Sequence, residues 1–300
     1  MEKPTSGILV ADKPEGITSQ TLVSKIKRIL NVRSAGHTGT LDPIATGLNL
    51  VCYGRATKVS AYVTGCDKTY IARLRLGYET DTGDITGETI ATNEKRATAE
   101  ELLAVLPQFL GPQAQIPPMY SAIKLDGKKL YQLARAGETV EVAPRDIVIY
   151  DLKLLEADEA NGEFSLLVDC SKGTYIRSLC RDLGRALGTC GTMAALRRIR
   201  VGSFTIDQAL TPDQMAQKLA DGDTSFILPI DAVFAELGNL TVNADGERLI
   251  RCGAVIPSAT VTACDRMGEM CRVYNEAGEF LAIGKTEGEE LCIEKRFFDL

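Results

Sequence analysis

The chain has 300 residues, 45% hydrophobic and 25% charged, which suits a globular protein with one sizeable core and a smaller second module. It has no run of about 18 apolar residues, and the opening MEKPTSGILVADKPEG lacks the basic and apolar regions of a secretory leader, so a cytoplasmic protein with no membrane partner is expected. The formal net charge of −6 by itself argues against a nucleic-acid partner and for a small-molecule enzyme.

The distribution of charge changes that reading. Residues 166–205 carry seven Lys/Arg against two Asp, and residues 1–60 carry eight basic against four acidic side chains. Residues 206–247 carry one basic against eight acidic. A basic face of this kind can hold phosphates while an acidic connector lowers the total, although segregation of this size also occurs in proteins that never touch nucleic acid. The nine cysteines are scattered without a C-x2-C pair, and a single histidine does not complete the usual zinc spacings, so free thiols and no structural metal are expected.

In chain order, the apolar run from Ile8 leads into DKPEGITS, where Pro14 and Gly16 fix a turn. Thr18 or Ser19 then caps a helix with Leu22, Ile26, Ile29 and Leu30 at helical spacing. Lys13 by itself reads as a solvated turn lysine. The stretch Gly36 to Lys58, GHTGTLDPIATGLNLVCYGRATK, gathers His37, Asp42, Pro43, Arg55 and Lys58 around glycines 36, 39, 47 and 54. Glycine turns let backbone approach a ligand, so this stretch reads as a site and not as core, while Asp-Pro alone is more often a turn cap in a surface loop. In KTYIARLRL, period-two alternation puts Tyr70 on the apolar face of a strand, where an ordinary core tyrosine is the plain alternative.

Thr98-Ala99-Glu100-Glu101 is a capping box for a short helix ended by Pro107. Residues 116–146 combine Pro117-Pro118, an Asp126-Gly127 hairpin turn, five basic side chains and tyrosines 120 and 131, a mixture suited to RNA backbone and bases as well as to a solvated hairpin. Strands are expected at 147–155 and 164–170 around an Asn161-Gly162 turn. A helix follows with Ile176, Leu179, Leu183 and Leu187 as its apolar stripe, Gly188 as its stop, and Arg181 and Arg185 on a solvated face. Thr211-Pro212-Asp213-Gln214 opens another helix. From about Gly238 short alternating segments, with turns at 243–246, 266–268 and 275–278, suit a small β-barrel.

Taken together these strings resemble the TruB family, the bacterial tRNA pseudouridine synthases acting on the T-loop uridine at position 55. G-H-x-G-x-L-D-P is similar to the family's motif II, which implies that Asp42 is the catalytic residue, with Gly39 supporting the motif. K-P-x-G-x-T-S resembles motif I, which implies that Lys13 and Pro14 buttress the catalytic loop. K-x-Y-x-A implies that Tyr70 stacks on the target uracil. Lys172 to Arg177 resembles motif III, implying that Tyr175 contacts the base and that Arg177 pairs with Asp42. LRR-x-x-VG-x-F implies that Leu196 lines the pocket, and His37 is the candidate to fill the gap left by an extruded base.

The resemblance further implies an α+β fold: a pseudouridine-synthase domain over 1–235 with a mixed, largely antiparallel sheet flanked by helices and an RNA-binding thumb at 116–146. Residues 238–300 resemble a PUA barrel. No cofactor, a tRNA T-arm partner and a monomer are expected. Asp42 could attack C1′, add to C6 or remove the 2′ proton, and the residues do not choose among these routes. A guide-RNA-dependent relative shares the catalytic Asp, and a non-catalytic RNA-binding protein or an Asp-dependent hydrolase would be the rivals from other classes.

Overall fold

The computed structural model describes residues 4–125, 127–138 and 140–298. Its larger unit is a nine-stranded sheet of β1 (Gly7–Lys13), β2 (Ala35–His37), β3 (Thr46–Tyr53), β4 (Lys68–Leu76), β5 (Gly111–Gln115), β6 (Arg145–Asp158), β7 (Glu163–Cys170), β8 (Gly191–Val201) and β9 (Phe204–Thr205). The order is β1-β3-β8-β4-β7-β6-β5, with β2 on β3 and β9 on β8. Every pairing is antiparallel except β3 with β8, where Arg197 and Arg198 lie beside Thr46 and Gly47. The expected mixed, largely antiparallel sheet is therefore present, with its single parallel seam one strand in from the β1 edge.

That seam needs a glycine. Gly47 has φ of +97°, and a Cβ there would lie 2.3 Å from the Arg198 carbonyl oxygen. Because β1 pairs along one whole edge of β3, β2 and β8 must share the other edge, β2 at Val51–Tyr53 and β8 at Thr46–Gly47. The loop 38–45 emerges at the notch between them.

Helices cover both faces. Helix α1 (Ser19–Leu30) starts where Thr18 Oγ1 accepts from Thr21 N at 3.0 Å, and ends at Asn31 in the left-handed conformation. Its Leu22, Val23, Ile26 and Leu30 pack with Leu9 and Ala11 of β1 and Val51 and Tyr53 of β3, together with Met215 of α3 (Pro212–Ala220) once the chain returns. On the opposite side α2 (Ile176–Ala186) lays Leu179 and Leu183 on Leu74, Phe164 and Leu166. The capping box at Thr98 is present and opens Ala99–Val105.

Two expectations change here. The stretch 36–58 is only half a site, because β3 is buried on both faces: Leu48, Leu50 and Cys52 join one cluster and Val51 and Tyr53 another. The expected turn at 243–246 is instead a helix start, with Asn243 Oδ1 accepting from Gly246 N at 3.0 Å to cap α4 (Ala244–Cys252). In the 116–146 segment, a hairpin of Lys124–Leu125 with Lys128–Lys129 leads into a helix at Leu130–Arg135; Asp126 of the expected turn lies outside the described residues.

The smaller unit is a five-stranded sheet of β10 (Gly238–Val242), β11 (Val261–Cys264), β12 (Cys271–Asn275), β13 (Phe280–Glu287) and β14 (Glu290–Arg296), in the order β11-β10-β12-β13-β14. No closed barrel is found among the described residues. The two edges approach only through the segment before β11, where Leu291 N donates to Ile256 O at 2.7 Å and Ser258 N to Glu289 O at 2.8 Å. This unit is joined to the first through apolar contact: Ile283 and Phe297 share a cluster with Ile8, Leu48, Leu50 and Phe234. Lys58 does not serve the Asp42 loop but donates to Phe298 O at 3.1 Å across this junction.

Candidate active site

The loop 38–45 is held from both sides of Asp42. Ser19 Oγ, at the start of α1, accepts from Leu41 N at 2.8 Å and from Asn49 Nδ2 at 3.0 Å. Pro43 O accepts from Gly16 N at 2.8 Å and from Lys13 Nζ at 3.2 Å, while Lys13 also donates to Pro14 O and Ile17 O. Lys13 is therefore not a solvated turn lysine. It is fully buried, and burial pushes its ammonium down to about 8 against the favourable charge of Asp42. Pro14 stays exposed and acts through the turn it shapes.

Arg177 enters from the first turn of α2 and meets this loop. Its Nε lies 3.0 Å from Asp42 Oδ2 and its Nη2 3.3 Å from Oδ1, a two-point contact. The other donors go to Thr82 O and Tyr120 O, both at 2.8 Å, so one buried guanidinium joins Asp42, the turn at 80–88 and the start of the 116–146 segment. The Asp42 side chain is 30% exposed and Arg177 6%. Burial pushes the Asp42 carboxyl above its ordinary range; Arg177 opposes this, Asp84 adds to it through like charge, and Lys13 opposes it more weakly.

The pocket wall beside Asp42 comes from adjacent strands. Across β4 and β8, Tyr70 lies opposite Arg198 and Ala72 opposite Leu196, so Tyr70 and Leu196 share a face. Both belong to one apolar cluster with Leu41, Ile44 and Ile176. Burial raises the Tyr70 phenol and Arg198 beside it acts in the opposite direction. His37 is half-buried at the end of β2; burial and then Arg198 lower its pKa, which leaves the ring neutral at pH 7, and its Nδ1 is buried without a hydrogen-bond partner among the described residues. Tyr175 is half-buried, and its backbone is clamped by Gln115, which accepts from Tyr175 N at 2.8 Å and donates to Tyr175 O at 3.0 Å.

Of the expected site residues, Arg177 meets Asp42 directly, Tyr70 and Leu196 share an apolar cluster with Leu41 and Ile44 on either side of Asp42, and Lys13 braces Pro43, while His37 lies at the end of β2 and Tyr175 at the start of α2. Arg181 is not simply solvated. It donates to Ile116 O and pairs with Asp182, while Arg185 meets Glu79 at 2.9 Å. Several participants went unread in the sequence: Ser19, Asn49, Asp84, Gln115 and Arg198. Arg198 had left a signal, since it follows Ala194 and Leu196 at period two and so puts a charge on the buried face of a strand.

Such a site can hold a carboxylate at a fixed rotamer beside apolar side chains. The family described as TruB family pseudouridylate synthase (N terminal domain) matches residues 27–176, and tRNA pseudouridylate synthase B C-terminal domain matches residues 177–235. The chain belongs to the TruB family of pseudouridylate synthases. It is 41% identical to the tRNA pseudouridine synthase B of Aromatoleum aromaticum over 97% of this chain and 92% of that protein. It is also 41% identical to that of Francisella philomiragia, over 98% of this chain and 95% of the relative. Among solved structures, the chain is similar to one in a Cbf5-Nop10-Gar1 complex, with a TM-score of 0.73, 26% identity, and coverage of 98% of this chain and 85% of that one. The two TruB-family matches meet in the first turn of α2, between Ile176 and Arg177, inside one continuous sheet and at the Asp42 partner itself.

Proposed function

We propose that the chain isomerises the T-loop uridine at position 55 of tRNA to pseudouridine, with Asp42 as the catalytic group. The observation that carries this reading is the Asp42 carboxylate held at two points by the buried Arg177 beside the Tyr70 and Leu196 wall. In the reaction the N1–C1′ bond of the nucleotide breaks, the uracil turns, and a C5–C1′ bond forms. C5 gives up its proton and N1 gains one, so atoms balance and no redox partner is needed. Asp42 acts as nucleophile or base toward the sugar or the uracil, and Arg177 keeps it ionised and aimed.

A uridine inside a folded loop must be extruded before Asp42 can reach it. In this reading Tyr70 stacks on the extruded uracil, Tyr175 and Leu196 bound it, and His37, neutral and half-buried, takes the vacated place in the stack. Residues 1–235 serve as the catalytic unit, the 116–146 segment as a thumb on the RNA, and 238–300 as an RNA-binding module of PUA kind. In support of the thumb, Tyr131 lies 5.6 Å from both Lys129 Nζ and Arg135 Cζ, an aromatic between cations. The test is to incubate the protein alone with an unmodified tRNA transcript and map pseudouridine at each position. Product at position 55 without guide RNA is the expected result; product only when a guide RNA is added would favour the guide-dependent reading instead, and no product at all would defeat the assignment.

A further inference from the structure

Arg198 is 2% exposed, yet its hydrogen bonds go to backbone carbonyls: Nε donates to Leu48 O at 2.7 Å and Nη2 to Gly39 O at 3.1 Å. The Leu48 bond has a topological cause. On the edge of β3 shared by β2 and β8, Leu50 O is taken by Thr38 N at 3.1 Å, while Leu48 O falls in the notch where neither strand continues. The guanidinium fills that place in the ladder. The Gly39 bond ties the same group to the loop that follows His37 and carries Asp42, and the missing side chain keeps the contact easy: a Cβ at Gly39 would lie a tight 3.3 Å from Nη1.

A neutral donor would satisfy both carbonyls without the cost of burying charge. The cation is instead set among Lys13, Lys68 and His37, each of which it pushes toward the neutral form. The group that gains from it is the buried Tyr70, its cross-strand neighbour on β4, on whose phenol the cation acts against the effect of burial. A guanidinium fixed beside a phenol favours negative charge on its oxygen and so polarises its O–H, and the low dielectric of a buried site strengthens that effect.

We propose that Arg198 is a positioning residue for the isomerisation, acting through Tyr70: Gly39 O and Leu48 O lock its guanidinium, which is thereby held beside Tyr70 on the neighbouring strand and polarises its hydroxyl. This rests on the function proposed above. The charge and fork of Arg198 are essential to the claim.

The experiment is a double-mutant cycle in the full-length chain, measuring single-turnover pseudouridine formation, RNA affinity and thermal unfolding for Arg198→Gln, Arg198→Lys, Tyr70→Phe and the two doubles. The expected result is a rate loss of about tenfold or more in Arg198→Gln, less in Arg198→Lys, with RNA affinity unchanged, and a loss below about twofold when the same changes are made in Tyr70→Phe. Equal losses in both backgrounds, or a loss confined to affinity, would overturn the proposal. Failure of Arg198→Gln to fold leaves Arg198→Lys to decide; failure of both would make Arg198 a structural residue and overturn it as well. If the unaltered chain forms no pseudouridine, the function fails and the proposal falls with it.

Discussion

The two sheets treat charge in opposite ways. All the charged residues buried in the described chain, Lys13, Lys68, Asp84, Arg177 and Arg198, belong to the larger unit; Lys13, Asp84 and Arg177 act on Asp42, and Arg198 is bonded to Gly39 of its loop. In the five-stranded unit the buried polar residues are the neutral Thr260, Asn275 and Thr286, and its ion pairs, such as Arg251 with Glu247 at 2.8 Å, lie at the surface. Burying an ion is costly, so a sheet needing only to stand on its core keeps its charges outside. Concentration of that cost around one carboxylate marks where stability has been exchanged for chemistry.

If that contrast is right, removing Asp42 should hurt function most and the fold least. Asp42→Asn is expected to lower turnover by about a thousandfold or more while tRNA affinity stays within a few-fold. Because the folded pKa of Asp42 is raised above 3.8, its contribution to stability is fully present below the unfolded value and is lost as pH rises through the folded one. At neutral pH the substitution should therefore leave Tm unchanged or higher. A marked fall in Tm with turnover retained would reverse the comparison.

Arg177→Met should cost both. A loss of about a hundredfold or more in kcat is expected, with about 3 kcal/mol of stability for leaving Asp42 unopposed in its cleft. Arg177→Lys should fall between, since it restores charge without the planar fork. Calorimetry and steady-state kinetics on the same samples would separate this from a phosphate-binding role, in which affinity would drop and stability would not.

A finer test uses the acid limb of the pH–rate profile, which follows ionisation of Asp42. Arg177→Met should move that limb upward the furthest, Asp84→Asn should move it downward, and Lys13→Met should move it upward the least, because these charges act on Asp42 with those signs and in that order. Lys13, pushed down to about 8, is still a cation where the acid limb falls. An Asp84→Asn limb that rises would show that Asp84 acts by shape, through its bonds to Thr82 Oγ1 and Thr86 N at 3.0 Å, and not by charge.

The smallest effect belongs to the other sheet. Arg251→Met breaks a partly exposed pair with Glu247 and Glu279, so after solvent screening it should cost no more than about 1 kcal/mol and leave turnover on an isolated T-arm unchanged. A large loss of turnover would show that the two units are coupled through the aromatic junction of Tyr62, Phe234, Phe280 and Phe297, whose neighbouring rings lie 5.2 to 6.3 Å apart.

The difference between the units also separates what was legible from what was not. Helix starts at Thr18, Thr98 and Thr211 are local events, set by a side chain and a backbone N–H a few residues on, and each appears as expected. Asn243 obeys the same rule, although Asn243-Ala244-Asp245-Gly246 as a string also suits a turn; the helix it caps is Ala244–Cys252. The barrel expectation rests on short alternating segments and their turns, but closure depends on edge pairing between distant strands, which periodicity does not encode.

For the site, the chain by itself specified the chemical groups: an Asp on a glycine turn, a Tyr at an alternating strand position, and an Arg at the head of an amphipathic helix. Those are matters of residue type and short spacing. Only the tertiary structure decided which charges are buried and whom they face. The parallel seam at Gly47 places Arg198 under the Asp42 loop and opposite Tyr70, and the turn at 80–88 comes to rest on Arg177. The physical reason is that desolvation and Coulomb energy depend on distance through the folded protein and not along the chain, so an arginine's role is settled only when the strands beside it are in place.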